Sequence, residues 1–318
     1  MIGTAAAATT AAGLLARTRL GRGAPQRQAS GTWRGGPEIP TPRSEVAAAT
    51  AGGVIYVLGG LAQDGRSLAS NEALFSGETA WRALAPLPQQ RDHLAAVELD
   101  GRLWALAGSP GWFNQQTSTS LWVYDAEADR WEDRAPLPLG RAAHAAAALD
   151  GRIYVAGGIG PEPQQLLAYD AQADSWSLRA PLSRPREHLA ATAIGSILYL
   201  IGGRWADVGN VALLEEYDPA TDRWRTLPPM PTARGGLAAA ALDGKLFVTG
   251  GEVLDASRVT FPQLEVFDPL TEIWEGAAAT PTGRHGLGAT VRNGELYVLA
   301  GGRLAGLDVS GVTEVYTP

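Results

Sequence analysis

The sequence predicts an all-β chain, a six-bladed β-propeller with four antiparallel strands per blade, and three spacings predict it. Trp33, Trp81, Trp131, Trp176, Trp224 and Trp274 recur at intervals of 45 to 50 residues. Ten residues after each stands an arginine: Arg43, Arg91, Arg141, Arg186, Arg234 and Arg284. Thirteen after each arginine comes an aromatic: Tyr56, Trp104, Tyr154, Tyr199, Phe247 and Tyr297. Three or four residues on there is a glycine step, at 59–60, 157–158, 202–203, 250–251 and 301–302, reduced to Gly108-Ser109 in the second copy. Fixed intervals in six copies, with a period near 50, are the pattern of propeller blades.

Each strand of a unit follows in order. The first, such as HAAAALD (144–150), is made of small residues, which suits the innermost strand where blades crowd the axis. Asp-Gly or Asn-Gly then marks a hairpin turn. The second strand, RIYVAGG (152–158), alternates and stops at glycines, which allow positive φ or close backbone approach. A third strand ends at an aromatic with Asp, as in Tyr124-Asp125, Tyr169-Asp170, Tyr217-Asp218 and Phe267-Asp268, and the outer strand's tryptophan comes seven residues later. Trp33 has no inner strands before it and Tyr316 no tryptophan after it. Residues of about 31–35 are therefore expected to supply the outer strand of the last blade and close the ring, leaving no open edge. The division is an N-terminal extension over 1–30 and a propeller over 31–318.

Composition excludes several functions. There is no cysteine, so disulfides, thiolate metal sites and cysteine nucleophiles are out. No apolar run approaches the roughly 18 residues of a membrane helix. Residues 1–37 hold five arginines and no acid, so the remaining chain, with 21 basic and 33 acidic side chains, carries a net charge of −12. A body that acidic is a poor nonspecific partner for nucleic acid. Residues 5–16, AAAATTAAGLLA, could serve as the apolar part of a signal peptide, but the arginines follow it instead of preceding it. The compartment, cytoplasmic or exported, stays open.

The repeat arginine, the double glycine, and Tyr-Asp with Trp seven residues after the Tyr resemble the kelch repeat over residues 31–318. The resemblance implies the propeller fold. It is not specific for activity, because kelch propellers include adaptors, lectin-like proteins and several enzymes. In peptide-binding kelch adaptors, arginines at the repeat position hold acidic motifs. Some six-bladed kelch proteins are sialic-acid mutarotases, in which arginines hold the carboxylate and an acid–base residue opens the ring. Copper-radical oxidases of the galactose oxidase kind need a cysteine crosslinked to tyrosine, which this chain lacks.

Length variation falls almost entirely between the glycines and the third-strand aromatic, a stretch of 12 to 17 residues. In an up-and-down meander these loops share one face with the repeat arginines, and loops on a rigid scaffold are where recognition usually sits. The six arginines are candidates for an anionic ligand, weighed against a structural role in each blade. Trp112 and Phe113 in the second-blade loop, Arg204-Trp205, Glu252 and Arg303 are blade-specific additions to this face. Exposed aromatics beside polar groups suit a sugar ring or a peptide. All four histidines follow repeat arginines, and His93 and His188, two residues on, are expected to point the same way as Arg91 and Arg186. With Glu45 and Glu187 they are the acid–base candidates if the protein is an enzyme. No close-spaced ligand motif supports a metal, and no cofactor is expected. The expected function is a monomeric, non-catalytic module binding a protein segment or glycan at the loop face and channel mouth; the alternative is a mutarotase acting on a small acidic sugar.

Overall fold

In a computed structural model that describes residues 30–318 except 112–115, 206, 255 and 256, the chain is built of strands and turns, with no helix among the described residues. β1 (Thr32–Gly35) is followed by blade one, β2 (Ala47–Ala51), β3 (Val54–Leu58), β4 (Asn71–Leu74) and β5 (Arg82–Ala83). Blade two is β6 (Ala95–Leu99), β7 (Arg102–Leu106), β8 (Leu121–Asp125) and β9 (Arg130–Asp133). Blade three is β10 (Ala145–Leu149), β11 (Arg152–Ala156), β12 (Leu166–Asp170) and β13 (Ser175–Arg179). Blade four, β14 (Ala190–Ile194), β15 (Ile197–Ile201), β18 (Leu214–Asp218) and β19 (Arg223–Leu227), carries an extra hairpin, β16 (Arg204–Trp205) and β17 (Gly209–Asn210). Blade five is β20 (Gly235–Leu242), β21 (Lys245–Glu252), β22 (Leu264–Asp268) and β23 (Ile273–Ala277). Blade six is β24 (Gly288–Arg292), β25 (Glu295–Leu299) and β26 (Thr313–Thr317), completed by β1, with Trp33 opposite Tyr316. The ring closes as the chain ends predicted.

The repeated residues tie each blade to the one before. Five of the six repeat tryptophans donate the indole N–H to a backbone carbonyl 41 to 46 residues earlier, at distances from 2.8 to 3.0 Å, from Trp81 to Pro37 through Trp274 to Pro228. Trp33 makes the equivalent bond to Ala278 at 2.7 Å and so fastens the ring's seam. The third-strand tyrosines fill the space between blades: Tyr169 lies 5.6 Å from Trp104 and 5.1 Å from its own Trp176. Small residues of the inner strands, among them Ala48, Ala96, Ala146, Ala191, Ala239 and Ala289, line the channel as their size requires.

The glycine step reads differently in space. Gly59, Ala107, Gly157, Gly202, Gly250 and Ala300 share one left-handed position, with φ between 52° and 71°. The next residue, Gly60, Gly108, Gly158, Gly203, Gly251 or Gly301, is glycine in every blade. The second and sixth copies are therefore Ala-Gly at this step, and the second copy's glycine is not displaced. The second position admits no side chain: a Cβ on Gly158 would sit 2.6 Å from the Ala142 carbonyl.

Candidate functional site

The six repeat arginines are buried beneath the loops, and none lines the channel mouth. Arg43, Arg186, Arg234 and Arg284 turn back into their own blades, each donating to a second-strand carbonyl and to a third-strand glutamate: Glu72, Glu215, Glu265 and Glu314 respectively. The pairs Arg186–Glu215, Arg234–Glu265 and Arg284–Glu314 close to 2.7–2.8 Å. Where the third strand lacks the acid, the arginine finds something else. Arg91 stacks on Trp122, 5.2 Å from the ring, and donates to Gln89 and Ser118. Arg141, with Leu167 at the corresponding strand position, donates to the Gly140, Pro161 and Glu162 carbonyls, and burial lowers its pKa to about 10. Geometry thus favours the structural role at all six.

The next residues line the channel instead. Positions two after the arginines, Glu45, His93, Ala143, His188, Gly236 and Gly286, all have left-handed backbone, with φ from 51° to 69°. Alternation is broken there, so His93 and His188 do not follow Arg91 and Arg186 into the blades, as regular strand geometry would have them do; they face the cavity. Their backbones join into a collar. His93 N–H donates to Glu45 O, Ala143 to His93, His188 to Ala143, Gly236 to His188 and Gly286 to Gly236, all at 2.8–3.1 Å, and Val46 N–H closes the circle onto Gly286 O at 3.3 Å.

Above this collar lies a cavity of about 350 Å³ lined by Glu45, Asp92, His93, His188, Arg204 and Glu252, with Leu61, Ile159, Leu254 and Leu307 at its edge. Glu45 is central: its carboxylate lies 3.4 Å from His93 Nε2, 4.0 Å from His188 Nε2 and 3.6 Å from His285 Nδ1. Asp92 meets His93 Nδ1 at 2.5 Å and accepts a bond from the Ser67 hydroxyl. Glu187 lies against Nδ1 of His188 and accepts from Arg204 Nε at 2.8 Å; Arg204 also donates to Glu252 at 2.9 Å. Burial works against charge on His93, but Glu45 and Asp92 outweigh it and raise its pKa. Burial, then Arg204 and the other histidines, push His188 well below the usual range.

The sequence candidates Glu45, His93, Glu187, His188, Arg204 and Glu252 thus meet at one floor, joined by Asp92 and His285. Trp205, in the β16–β17 hairpin, and the exposed Arg303 stand outside the cavity lining. Trp112 and Phe113 lie outside the described residues. Sequence reading missed the apolar edge of Ile159, Leu254 and Leu307; its signal was large aliphatics in loops where no strand alternation asks for them.

Six four-stranded blades around a channel, with variable loops gathered over a polar floor, define a six-bladed β-propeller. Residues 143–316 match the KLHDC2/KLHL20/DRC7 kelch-repeats domain, and the chain belongs to the kelch-repeat family. Kelch-like protein 41a of Danio rerio is 32% identical over 101 residues, a stretch covering 30% of this chain and 17% of that relative's length. The structure titled "Structure of YjhT" superimposes with a TM-score of 0.74 at 19% identity, covering 87% of this chain and 95% of that one. That likeness is one of fold. Kelch propellers serve as interaction modules or as enzymes, and among the described residues no helix is long and apolar enough to cross a membrane.

Proposed function

We propose that this propeller is a protein-binding module that docks a polypeptide segment across the loop face and over the channel mouth. The observation that carries the reading is a ring of exposed aliphatics. Ile159, Val208, Leu254, Val259 and Leu304, each 44–61% exposed, all sit in the loops between second and third strands of blades three to six. Such residues around a recessed polar floor have the anatomy of an interface, with apolar contacts flanking a small number of orienting polar groups. The floor sets four carboxylates, Glu45, Asp92, Glu187 and Glu252, against one arginine, an arrangement that repels an acidic ligand. An acidic sugar therefore has less support than a peptide, because the arginines that would hold its carboxylate are committed inside the blades. The convergence of Glu45, His93, Glu187 and His188 favours a second reading, an enzyme using them as acid and base on an uncharged sugar.

Selection from a random peptide library on the immobilised full chain tests the first reading. Enriched peptides are expected to carry spaced aliphatic or aromatic side chains. They should lose at least tenfold in affinity for Ile159→Asp/Leu254→Asp, whose melting temperature stays that of the parent because both sites are exposed. No enrichment, or peptides that bind the double variant equally well, would overturn the docking face. A melting shift with neutral sugars alone would move the case to the enzyme.

A further inference from the structure

The collar makes an unusual choice at a position that favours glycine. In an L-residue, left-handed backbone is disfavoured by roughly 1–2 kcal/mol. Blades five and six answer with Gly236 and Gly286, and blade three with Ala143, the smallest side chain. Blades one, two and four instead place Glu45, His93 and His188 there, three side chains that ligate metals, converging on one point of the channel. Side chains held in sparsely populated backbone at a cavity floor point toward function.

The surroundings of the two histidines make the case specific. Each imidazole has a carboxylate at Nδ1, supplied by the residue before it: Asp92 for His93 and Glu187 for His188. Both carboxylates are anchored in turn, Asp92 by Ser67 and Glu187 by Arg204. The Asp92–His93 hydrogen bond fixes that imidazole's tautomer, puts its lone pair on Nε2 and raises its basicity, whereas Glu187 touches His188 Nδ1 without a hydrogen bond. Both Nε2 atoms then face Glu45, and the three donor atoms lie within 4.8 Å of one another. A tetrahedral ion with ligand bonds of about 2.0–2.1 Å wants donors about 3.3 Å apart. The 3.4 Å separation of His93 Nε2 and Glu45 already meets this, the 4.0 Å from His188 needs a shift of well under 1 Å, and the two imidazole nitrogens, within 4.8 Å of each other, have the most to close. The floor also lacks positive charge: four carboxylates face Arg204 alone, and a dication would bring the formal sum of these groups to −1.

We infer that Glu45, His93 and His188 form a binding site for a divalent transition-metal ion on the channel axis. Two imidazoles and a carboxylate suit zinc, cobalt or ferrous iron over magnesium or calcium. Three protein ligands leave at least one position for water or for a donor atom entering from the cavity. The site is independent of the peptide-docking reading, since its residues lie beneath the aliphatic ring and are not part of it.

Cobalt and zinc titrations of the chelator-treated full chain, purified without a histidine tag, test it. Cobalt should develop the intense visible bands of four- or five-coordination at one equivalent, and zinc should bleach them and raise the melting temperature, while magnesium does neither. His93→Gly/His188→Gly should abolish both signals. Its metal-free melting temperature should match or exceed that of the parent, because sister blades already carry glycine at this position. Asp92→Asn should weaken zinc by 10- to 100-fold. A weak octahedral cobalt spectrum, or equal binding by the double-glycine variant, would overturn the site and leave the cluster as a hydrogen-bonded lining of the channel.

Discussion

Replacing Arg186 by methionine should destabilise the propeller far more than it disturbs ligand binding. Arg186 and Glu215 are each 1% exposed and meet at 2.7 Å, while the second oxygen of Glu215 accepts the Ser183 hydroxyl. Burial opposes the charge on Arg186 and lowers its pKa, with Glu215 working in the other direction. Removing one partner strands the other in a low-dielectric site, a loss of about 3–5 kcal/mol. That is a large share of the 5–15 kcal/mol that typically separates folded from unfolded states. Arg186→Met/Glu215→Leu removes both charges, leaving as its main penalty the buried Leu200 carbonyl without the Arg186 donor, about 1 kcal/mol, while the exposed Ser183 hydroxyl turns to water. Urea unfolding at neutral pH, read by tryptophan fluorescence, should show the double variant near the parent and both single variants well below it. A single-variant loss under about 1 kcal/mol, or a double variant as poor as the sum of the singles, would refute the structural role.

Two further expectations follow from backbone and burial. Gly158→Ala, whose Cβ would meet the Ala142 carbonyl at 2.6 Å at a φ of 90°, should lower stability by several kcal/mol; Gly53→Ala, with φ 77° and nothing within 4 Å, should lose only the roughly 1–2 kcal/mol of left-handed strain. Equal losses in urea unfolding would show that close approach is not what keeps the glycine step. His144 takes the place held by Leu94, Leu189, Leu237 and Leu287 in other blades, and burial, then Arg141, lowers its pKa to about 3. The native imidazole stays neutral while the unfolded one takes a proton below about 6.5, so this contribution is complete above that pH and fades as pH falls toward 3. Between pH 7 and 4.5 the parent should lose roughly 2.7 kcal/mol more than His144→Leu, and parallel stability profiles would refute the neutral buried histidine.

The fold was legible because its signals are redundant. A tryptophan that bridges to the preceding blade, an aromatic that fills the gap between blades and a glycine under a carbonyl recur with the same job, and their spacing shows through a single sequence. The direction of the arginines was not legible from the repeat. A guanidinium at a strand end reaches either the mouth or the blade, and its partner decides which. That partner was present in the sequence, as glutamates 29 to 31 residues after four of the arginines, with Trp122 and Leu167 on the third strands of the two blades that lack it. The floor was half legible: its residues were singled out, but strand alternation sent the histidines the wrong way. A φ of 51° at His93 leaves no trace in a pattern of two.

The collar explains why fold and site separate so cleanly in this chain. Collar residues are held by backbone N–H and C=O groups bonded to the blades on either side, with Val46 N–H standing in for that of Glu45, so the circle uses no side chain. Position two after the arginine is therefore Glu, His, Ala, His, Gly and Gly around the ring without any change in backbone. The position before it is equally varied, as Ser44, Asp92, Ala142, Glu187, Gly235 and His285. The third position points into the core and admits aliphatics, with His144 the exception whose burial holds it neutral. A scaffold that uses only backbone at its collar, and there favours glycine, leaves the larger side chains it carries free for chemistry. The polar residues of blades one, two and four, with Arg204 of β16 and Glu252 at the end of β21, are thus the part of the molecule that the fold alone does not explain.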